Sequence, residues 1–325
     1  MAIRLGFIGT GGVAQGHMQR LTGMAEVEGV GYVDALKDRA EAAAGKFGGK
    51  AYDSVEAMVG EAKLDGVVIC TPPFAHGAGV EEPVCEAGLP FLIEKPVALD
   101  IRTARQVEAW VKAKDLATVV AYKYRWDDHV NRAKDMLADK VIGLVHGDFW
   151  GGLPGTPWWR VMAESGGQLV EQTTHIVDMA RYLCGEIEAA QALYALRGLQ
   201  DVENLDVPDV GTVNVRFASG AVGNISNTCM LQGWGTSGLR VMAKGFTLEV
   251  RGNLLSWAGA EGSDTFTQTQ DGYMGEDTAF IEAIKGNRSL INSDYADGVK
   301  TLAATLAANV SAAEGGRLVK VGEVG

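Results

Sequence analysis

A glycine turn directly behind the first apolar run fixes much of what this chain can become. Residues 3–8 are Ile-Arg-Leu-Gly-Phe-Ile, followed by Gly9-Thr10-Gly11-Gly12-Val13-Ala14. Gly9, Gly11 and Ala14 match the spacing G-x-G-x-x-G/A. In that pattern the first glycine allows a sharp turn out of a strand. The second clears space above the backbone, and the small third position lets the next helix pack closely on the strand. The spacing predicts a strand–turn–helix unit opening a parallel sheet.

The alternation continues beyond the turn. Apolar runs at 27–33, 66–71, 90–93 and 117–122 predict four more strands, separated by Ala-rich helical stretches such as 38–47 and 103–114. The run at 66–71 has no polar alternation, as expected of a strand buried on both faces. Strand–helix alternation predicts a doubly wound parallel sheet. After residue 122 the pattern changes. Shorter alternating runs at 144–150, 189–197, 211–217, 221–229, 239–243 and 246–250 predict a large, mostly antiparallel open sheet. Ser219-Gly220 reads as a tight hairpin turn. Helices are expected at 168–183, 276–285 and 294–314, and the polar stretch 262–272 as a surface loop. The fold class is therefore α/β, with a doubly wound domain over 1–121, which the family resemblance given below makes a Rossmann domain, and a second α/β domain over 122–325. The 43 glycines show no period, so the excess belongs in turns rather than in a collagen repeat.

Charge excludes one class of partner. The chain has 29 Lys+Arg against 41 Asp+Glu, a net charge of −12. Up to residue 119 there are 12 basic and 16 acidic residues, and after it 17 and 25, so neither half hides a basic domain. Nucleic acid is not an expected partner, since phosphate binding needs a basic face. No apolar run reaches the roughly 18 residues of a membrane span, and the short apolar stretch after Arg4, broken by glycines, is not expected to act as a signal peptide. Cys70, Cys85, Cys184 and Cys229 lack metal or disulfide spacing and are expected to be reduced core thiols of a cytoplasmic protein.

The turn also suggests a ligand. The amides of residues 10–13 and the following helix N-terminus suit a pyrophosphate. Asp34 ends the second strand twenty residues after Ala14, where it can accept hydrogen bonds from an adenosine ribose. A carboxylate there favours NAD over NADP by charge; nearby Lys37 and Arg39 keep NADP as the alternative. The third strand ends in Thr71-Pro72-Pro73 and reaches His76, and the fourth in Glu94-Lys95-Pro96. Both ends fall on the carboxyl edge, where such sheets bind ligands. A lysine there can hold or deprotonate a substrate hydroxyl, although a lone lysine is most often a solvated side chain.

The glycine turn, Asp34, Thr71-Pro72-Pro73, Ala87-Gly88-Leu89-Pro90 and Glu94-Lys95-Pro96 together resemble the glucose–fructose oxidoreductase / inositol dehydrogenase (Gfo/Idh/MocA) family. The run 166–183 is similar to its second signature. The resemblance implies NAD(P)-dependent oxidation or reduction of sugars, inositols and related polyols. It makes Lys95 the active-site lysine and His175 the catalytic histidine. Glu171 stands where many members carry Asp, so the preferred polyol stays open. Homodimers or homotetramers built on the second sheet are implied as well.

Taken as one helix, 168–183 places Leu169, Thr173, Ile176, Ala180 and Leu183 on a core stripe. Glu171, His175, Asp178 and Tyr182 fall opposite. That second stripe suits either a solvated face or a substrate face whose histidine is made more basic by two carboxylates. Tyr124 and Arg125 after the fifth strand, and Trp158 and Arg160 in the 151–166 loop, offer aromatic faces and guanidinium groups to a polyhydroxylated ring. The five histidines, 17, 76, 129, 146 and 175, are scattered, so no metal is expected. The expected reaction is hydride transfer, with His175 taking the hydroxyl proton, Glu171 orienting it and Lys95 stabilising charge on the oxygen; the roles of Lys95 and His175 can be exchanged. The rivals are an NAD-dependent glycosidase of the same fold and a non-catalytic sugar or dinucleotide sensor.

Overall fold

The computed structural model describes residues 2–324. The chain forms two compact units. The first takes in the described residues up to Ala98, then Arg102–Lys123 and Tyr273–Val299. The second takes in Leu99–Ile101, Tyr124–Gly272 and the described residues from Lys300 onward. A single cut after residue 121 therefore misses one return of the chain: 273–299 lies with the first unit, not the second.

In the first unit, β1 (Ile3–Ile8), β2 (Val27–Val33), β3 (Lys50–Ala51), β4 (Gly66–Ile69), β5 (Phe91–Ile93) and β6 (Thr118–Val120) form one sheet. Its order is β3-β2-β1-β4-β5-β6 and every pairing is parallel. This is the doubly wound order, with the chain reversing direction across the sheet between β1 and β4. The helices α1 (Gly12–Leu21), α2 (Lys37–Phe47), α3 (Val55–Glu61), α4 (Glu81–Glu86) and α5 (Ile101–Ala113) connect the strands. Leu5, Phe7, Val67, Val68, Leu92, Ile93 and Val119 are fully buried. Burying each such side chain is worth about 1.5–3 kcal/mol, which is why these runs show no polar alternation.

The second unit carries α6 (Asp128–Leu137), β7 (Ile142–Trp150), α7 (Met162–Ser165), α8 (Gln168–Glu171) and α9 (Thr174–Cys184). There follow β8 (Ile187–Ala195), β9 (Val210–Phe217), β10 (Val222–Thr228), β11 (Thr236–Ala243), β12 (Phe246–Arg251), β13 (Leu254–Gly259), β14 (Gly262–Thr267) and, near the C-terminus, β15 (Val319–Lys320). The sheet runs β14-β13-β12-β11-β7-β10-β9-β8-β15 and is antiparallel except where β7 meets β10. The β9–β10 hairpin turns at Ser219-Gly220, where Gly220 has φ +90°. Gly147 on β7 leaves room for α9: a Cβ there would lie 2.6 Å from Cγ2 of Ile176. Two helices, α10 (Gly272–Ile284) and α11 (Tyr295–Ala313), complete the chain. Phe280 and Ile284 of α10 pack onto Gly66 of β4.

Two expectations are corrected here. The stretch 262–272 is not simply a loop, because Gly262–Thr267 is the edge strand β14, paired with β13. Its residues are nearly all exposed, so no apolar alternation marks it. The segment 168–183 is not one helix either. It breaks at Gln172-Thr173, where the Thr173 amide reaches back to the Gln168 carbonyl at 2.9 Å and helical bonding restarts from Thr173. The stripe Leu169, Thr173, Ile176, Ala180 and Leu183 is nonetheless buried throughout.

Candidate active site

The glycine turn sits where β1 ends. Gly9 has φ +81°, and a Cβ there would lie 2.5 Å from the Cys70 carbonyl oxygen of the neighbouring strand end. Only glycine fits this turn without strain. A Cβ at Gly11 or Gly12, in contrast, meets nothing within 4 Å. Gly11 is also the N-cap of α1, and no side chain caps that end. The first-turn amides and the positive end of the helix dipole therefore face an open cradle suited to an anion. Val13 beside it is well exposed and Ala14 is buried on the strand.

Asp34 locks this turn. Its Oδ2 accepts from the Thr10 amide at 2.8 Å and from the Thr10 hydroxyl at 3.0 Å, and its Oδ1 accepts from the Leu36 amide at 2.9 Å. Each carboxylate oxygen offers two lone-pair directions, so capacity remains for a ribose hydroxyl. Beyond β4, the Thr71 hydroxyl is buried with no hydrogen-bond partner among the described residues. An open glycine cradle, a carboxylate at the end of β2 and an orphan hydroxyl at the same sheet edge fit a bound dinucleotide. His76 braces the loop instead of facing it. Its Nδ1 meets Glu81 Oε1 at 2.6 Å, and Glu81 Oε2 accepts from the Gly77 amide at 2.6 Å. Pro72 and Pro73 shape the short turn between them, with Pro73 buried.

Glu94-Lys95-Pro96 follows β5 directly. Glu94 Oε2 accepts from the Lys95 amide at 3.1 Å and Oε1 faces His17 Nε2 at 3.2 Å. Glu94 is a carboxylate whose burial opposes charge, yet the hydrogen bond and charge of His17, with Lys95 adding to them, hold its pKa below the ordinary value. Behind it, His17 Nδ1 lies 2.5 Å from Asp277 Oδ1, and Arg20 Nε donates to Asp277 Oδ2 at 2.6 Å. Sequence reasoning passed over His17, Arg20, Glu276 and Asp277. One signal was present: Ala14, His17, Met18 and Leu21 form the buried i, i+3, i+4, i+7 stripe of α1, and a histidine on a core stripe needs partners. His17, Glu276 and Asp277 have metal-ligand chemistry and lie close together. Both ring nitrogens of His17 face carboxylate oxygens, an arrangement made for a doubly protonated ring rather than a metal ligand.

In the second unit, His175 stands at the start of α9 with its ring edge-on to Tyr124, 5.6 Å between centroids. The Tyr124 hydroxyl lies 3.3 Å from Ser237 Oγ. Glu171 Oε2 accepts from the indole of Trp159 at 2.7 Å, and Trp159 is buried with Val207 and Cys229. Trp158 packs on the edge of that cluster. Arg160 has a buried Nε without a hydrogen-bond partner among the described residues. Arg125 departs from its expected part. It is buried and grips Asp178 through Nε–Oδ2 and a second N–H to Oδ1, both at 2.8 Å. Asp178 also accepts from the Thr301 hydroxyl at 2.8 Å. The acid three residues after His175 is thus engaged in a buried ion pair, and the picture of an exposed carboxylate–histidine–carboxylate stripe fails at Asp178.

The model for an oxidoreductase family with an NAD-binding Rossmann fold, Gfo/Idh/MocA, matches residues 3–122, and that for the Gfo/Idh/MocA C-terminal domain matches residues 130–253. The chain is 32% identical to inositol 2-dehydrogenase of Rhizobium meliloti (strain 1021) over 70% of its own length and 69% of that protein. It is 26% identical to myo-inositol 2-dehydrogenase of Thermotoga maritima over 70% of its length and 68% of that protein. In fold it is similar to levoglucosan dehydrogenase solved with NADH and levoglucosan, with TM-score 0.86, 23% identity and coverage of 98% and 99% of the two chains. The glycine turn, the acid after β2, the Glu-Lys-Pro strand end and the histidine helix thus have one common origin: this chain belongs to the Gfo/Idh/MocA oxidoreductases, an NAD-binding family.

Proposed function

We propose that this protein is an NAD-dependent dehydrogenase acting on a secondary alcohol of a sugar, an inositol or a related polyol. The observation that carries the cofactor half is the glycine turn locked by Asp34 and open above Gly11 and Gly12. The substrate half rests on likeness to proteins described as inositol 2-dehydrogenases.

The cofactor side is formed by Gly9, Thr10, Gly11, Gly12, Val13, Ala14, Asp34, Thr71, Pro72, Pro73, Glu94, Lys95 and Pro96, with His76 bracing the loop. When bound, NAD supplies the acceptor for the electron pair that leaves the reacting carbon. His175 takes the hydroxyl proton as the carbonyl forms. Lys95 donates a hydrogen bond to the same oxygen and stabilises its developing charge. Glu171 sets His175 from the turn before the helix break, with its own orientation fixed by Trp159. Tyr124, Trp158 and Arg160 offer the ring and guanidinium surfaces that a polyol needs. Arg125 acts from behind them, fixing the His175 helix through Asp178. Dimers or tetramers built on the second sheet and a cytoplasmic location belong to the same reading.

The test is a panel of inositols and sugars with NAD and, separately, NADP, following absorbance of the reduced nicotinamide. Stoichiometric NADH formation with one polyol class is the expected result. Tight NAD binding without turnover on any of them would contradict it.

A further inference from the structure

Behind the Lys95 strand end, the first unit buries a chain of ionisable groups that the proposed chemistry does not use. His17 and Asp277 have fully buried side chains, and Glu94 is 13% exposed at its side chain. The chain runs Arg20 Nε to Asp277 at 2.6 Å, Asp277 to His17 at 2.5 Å, His17 to Glu94 at 3.2 Å and Glu94 to the Lys95 amide at 3.1 Å. It joins helix α10, helix α1 and the end of β5, which are separated by up to 260 residues in sequence.

We propose that His17 is a positioning residue for Lys95: as an imidazolium clamped between Asp277 and Glu94, it fixes the Glu94 carboxylate, which in turn fixes the Lys95 backbone. This rests on Lys95 being the active-site lysine. A carboxylate bonded to the amide of the next residue constrains that peptide only if the carboxylate cannot rotate. Glu94 has one oxygen on the Lys95 amide and needs a second anchor for the other, and His17 is that anchor. His17 in turn is held from its far side by Asp277, which Arg20 pins. The groups facing His17 are Asp277 and Glu276 from α10, Glu94 from the β5 end and Arg20 from its own helix, whose Nη2 lies 3.1 Å from His17 Nδ1, with Cys70 at the β4 end nearby in the same field. Burial alone would push His17 down, but the hydrogen bonds and charges of Asp277 and Glu94 raise it to about 10. Glu276 is driven the other way. Burial, with Glu94 and Asp277 close by, raises its pKa well above the ordinary carboxyl value, and its two oxygens have no hydrogen-bond partner among the described residues.

The experiment is a double-mutant cycle on the full chain with NAD and its polyol, joined to a direct reading of the ring. His17→Asn keeps a donor but cannot hold both carboxylates. It is expected to lower kcat about tenfold in the wild-type background and less than about twofold in the Lys95→Ala background, because coupled residues are not additive. If Lys95→Ala is too slow to measure, the pH profile of His17→Asn decides: a limb displaced by about half a unit or more supports the clamp, and an unmoved limb overturns it. Nitrogen NMR of His17 is expected to find both ring nitrogens protonated at neutral pH, with NAD present or absent. A deprotonated nitrogen, or equal losses of kcat in both backgrounds, would overturn the proposal while leaving the dehydrogenase reading intact. Wild-type turnover by Lys95→Ala would instead bring down the assignment of Lys95 to the reacting oxygen, and the clamp's role with it, while the dehydrogenase reading stands.

Discussion

Two glycines of the same turn, two positions apart, do opposite work, and substitution separates them. Gly9 has positive φ and backbone 2.5 Å from where a Cβ would sit. Gly9→Ala is therefore expected to cost at least about 2 kcal/mol of stability, read as a lowered denaturation midpoint. Gly11 has a φ of −70°, which any residue adopts, and open space above it. Gly11→Val is expected to leave stability within about 0.5 kcal/mol while lowering NAD affinity at least tenfold, measured by titration calorimetry. If Gly11→Val binds NAD normally, the cradle is not the phosphate site. The glycine turn was legible because its spacing is local to one strand–turn–helix unit, and the family was legible from short signatures around Asp34, Lys95 and His175. His17, Glu276 and Asp277 were not, because what makes them a cluster is folding across 260 residues, and each alone looks like an ordinary polar residue on a helix. Arg125 misled for a related reason: its residue type suits a substrate contact, but its partner Asp178 lies 53 residues away and buries it.

Among the elements, the pair that holds the His175 helix is the clearest target. Arg125 and Asp178 are both almost fully buried and doubly bonded. Removing one partner strands a buried charge, so Asp178→Ala is expected to lose about 3–5 kcal/mol of stability. A variant that melts like the wild type would refute this. Five of the six strands of the first sheet were legible, β4 and β5 most plainly because burial on both faces leaves an unbroken apolar run, while the two-residue β3, with Lys50 exposed, was not. β14 was not, because an edge strand with exposed side chains and Gly, Ser, Asp and Thr in its sequence carries the composition of a loop. The break at Gln172-Thr173 was also invisible. It leaves the buried stripe in place, so the apolar period survives while the polar face is rotated.

For the whole molecule, the buried charges say how stability should respond to pH. The folded pKa of His17 is about 10 against 6.5 when unfolded. A histidine raised in the fold contributes stability that is complete below pH 6.5 and is lost as pH rises toward 10. Glu276, also raised in the fold, works in the same direction from its ordinary 4.5 upward. Thermal midpoints are thus expected to fall steadily from pH 6.5 to pH 10, and more steeply in the wild type than in His17→Asn with Glu276→Gln. Parallel slopes for the two proteins would show that the clamp does not carry this dependence. That the first sheet is parallel and doubly wound followed from alternation alone. The assignment of 273–299 to the first unit did not, since a helix returning from the far end of the chain leaves no mark on its own sequence.

The proposed chemistry stands or falls on one lysine and one histidine acting on the same substrate oxygen. Single-turnover reduction of NAD by the preferred polyol isolates that step from binding and product release. Lys95→Ala and His175→Ala are each expected to slow it by about 100-fold or more while still binding NAD. Near wild-type rates in both variants would show that neither side chain meets the reacting oxygen.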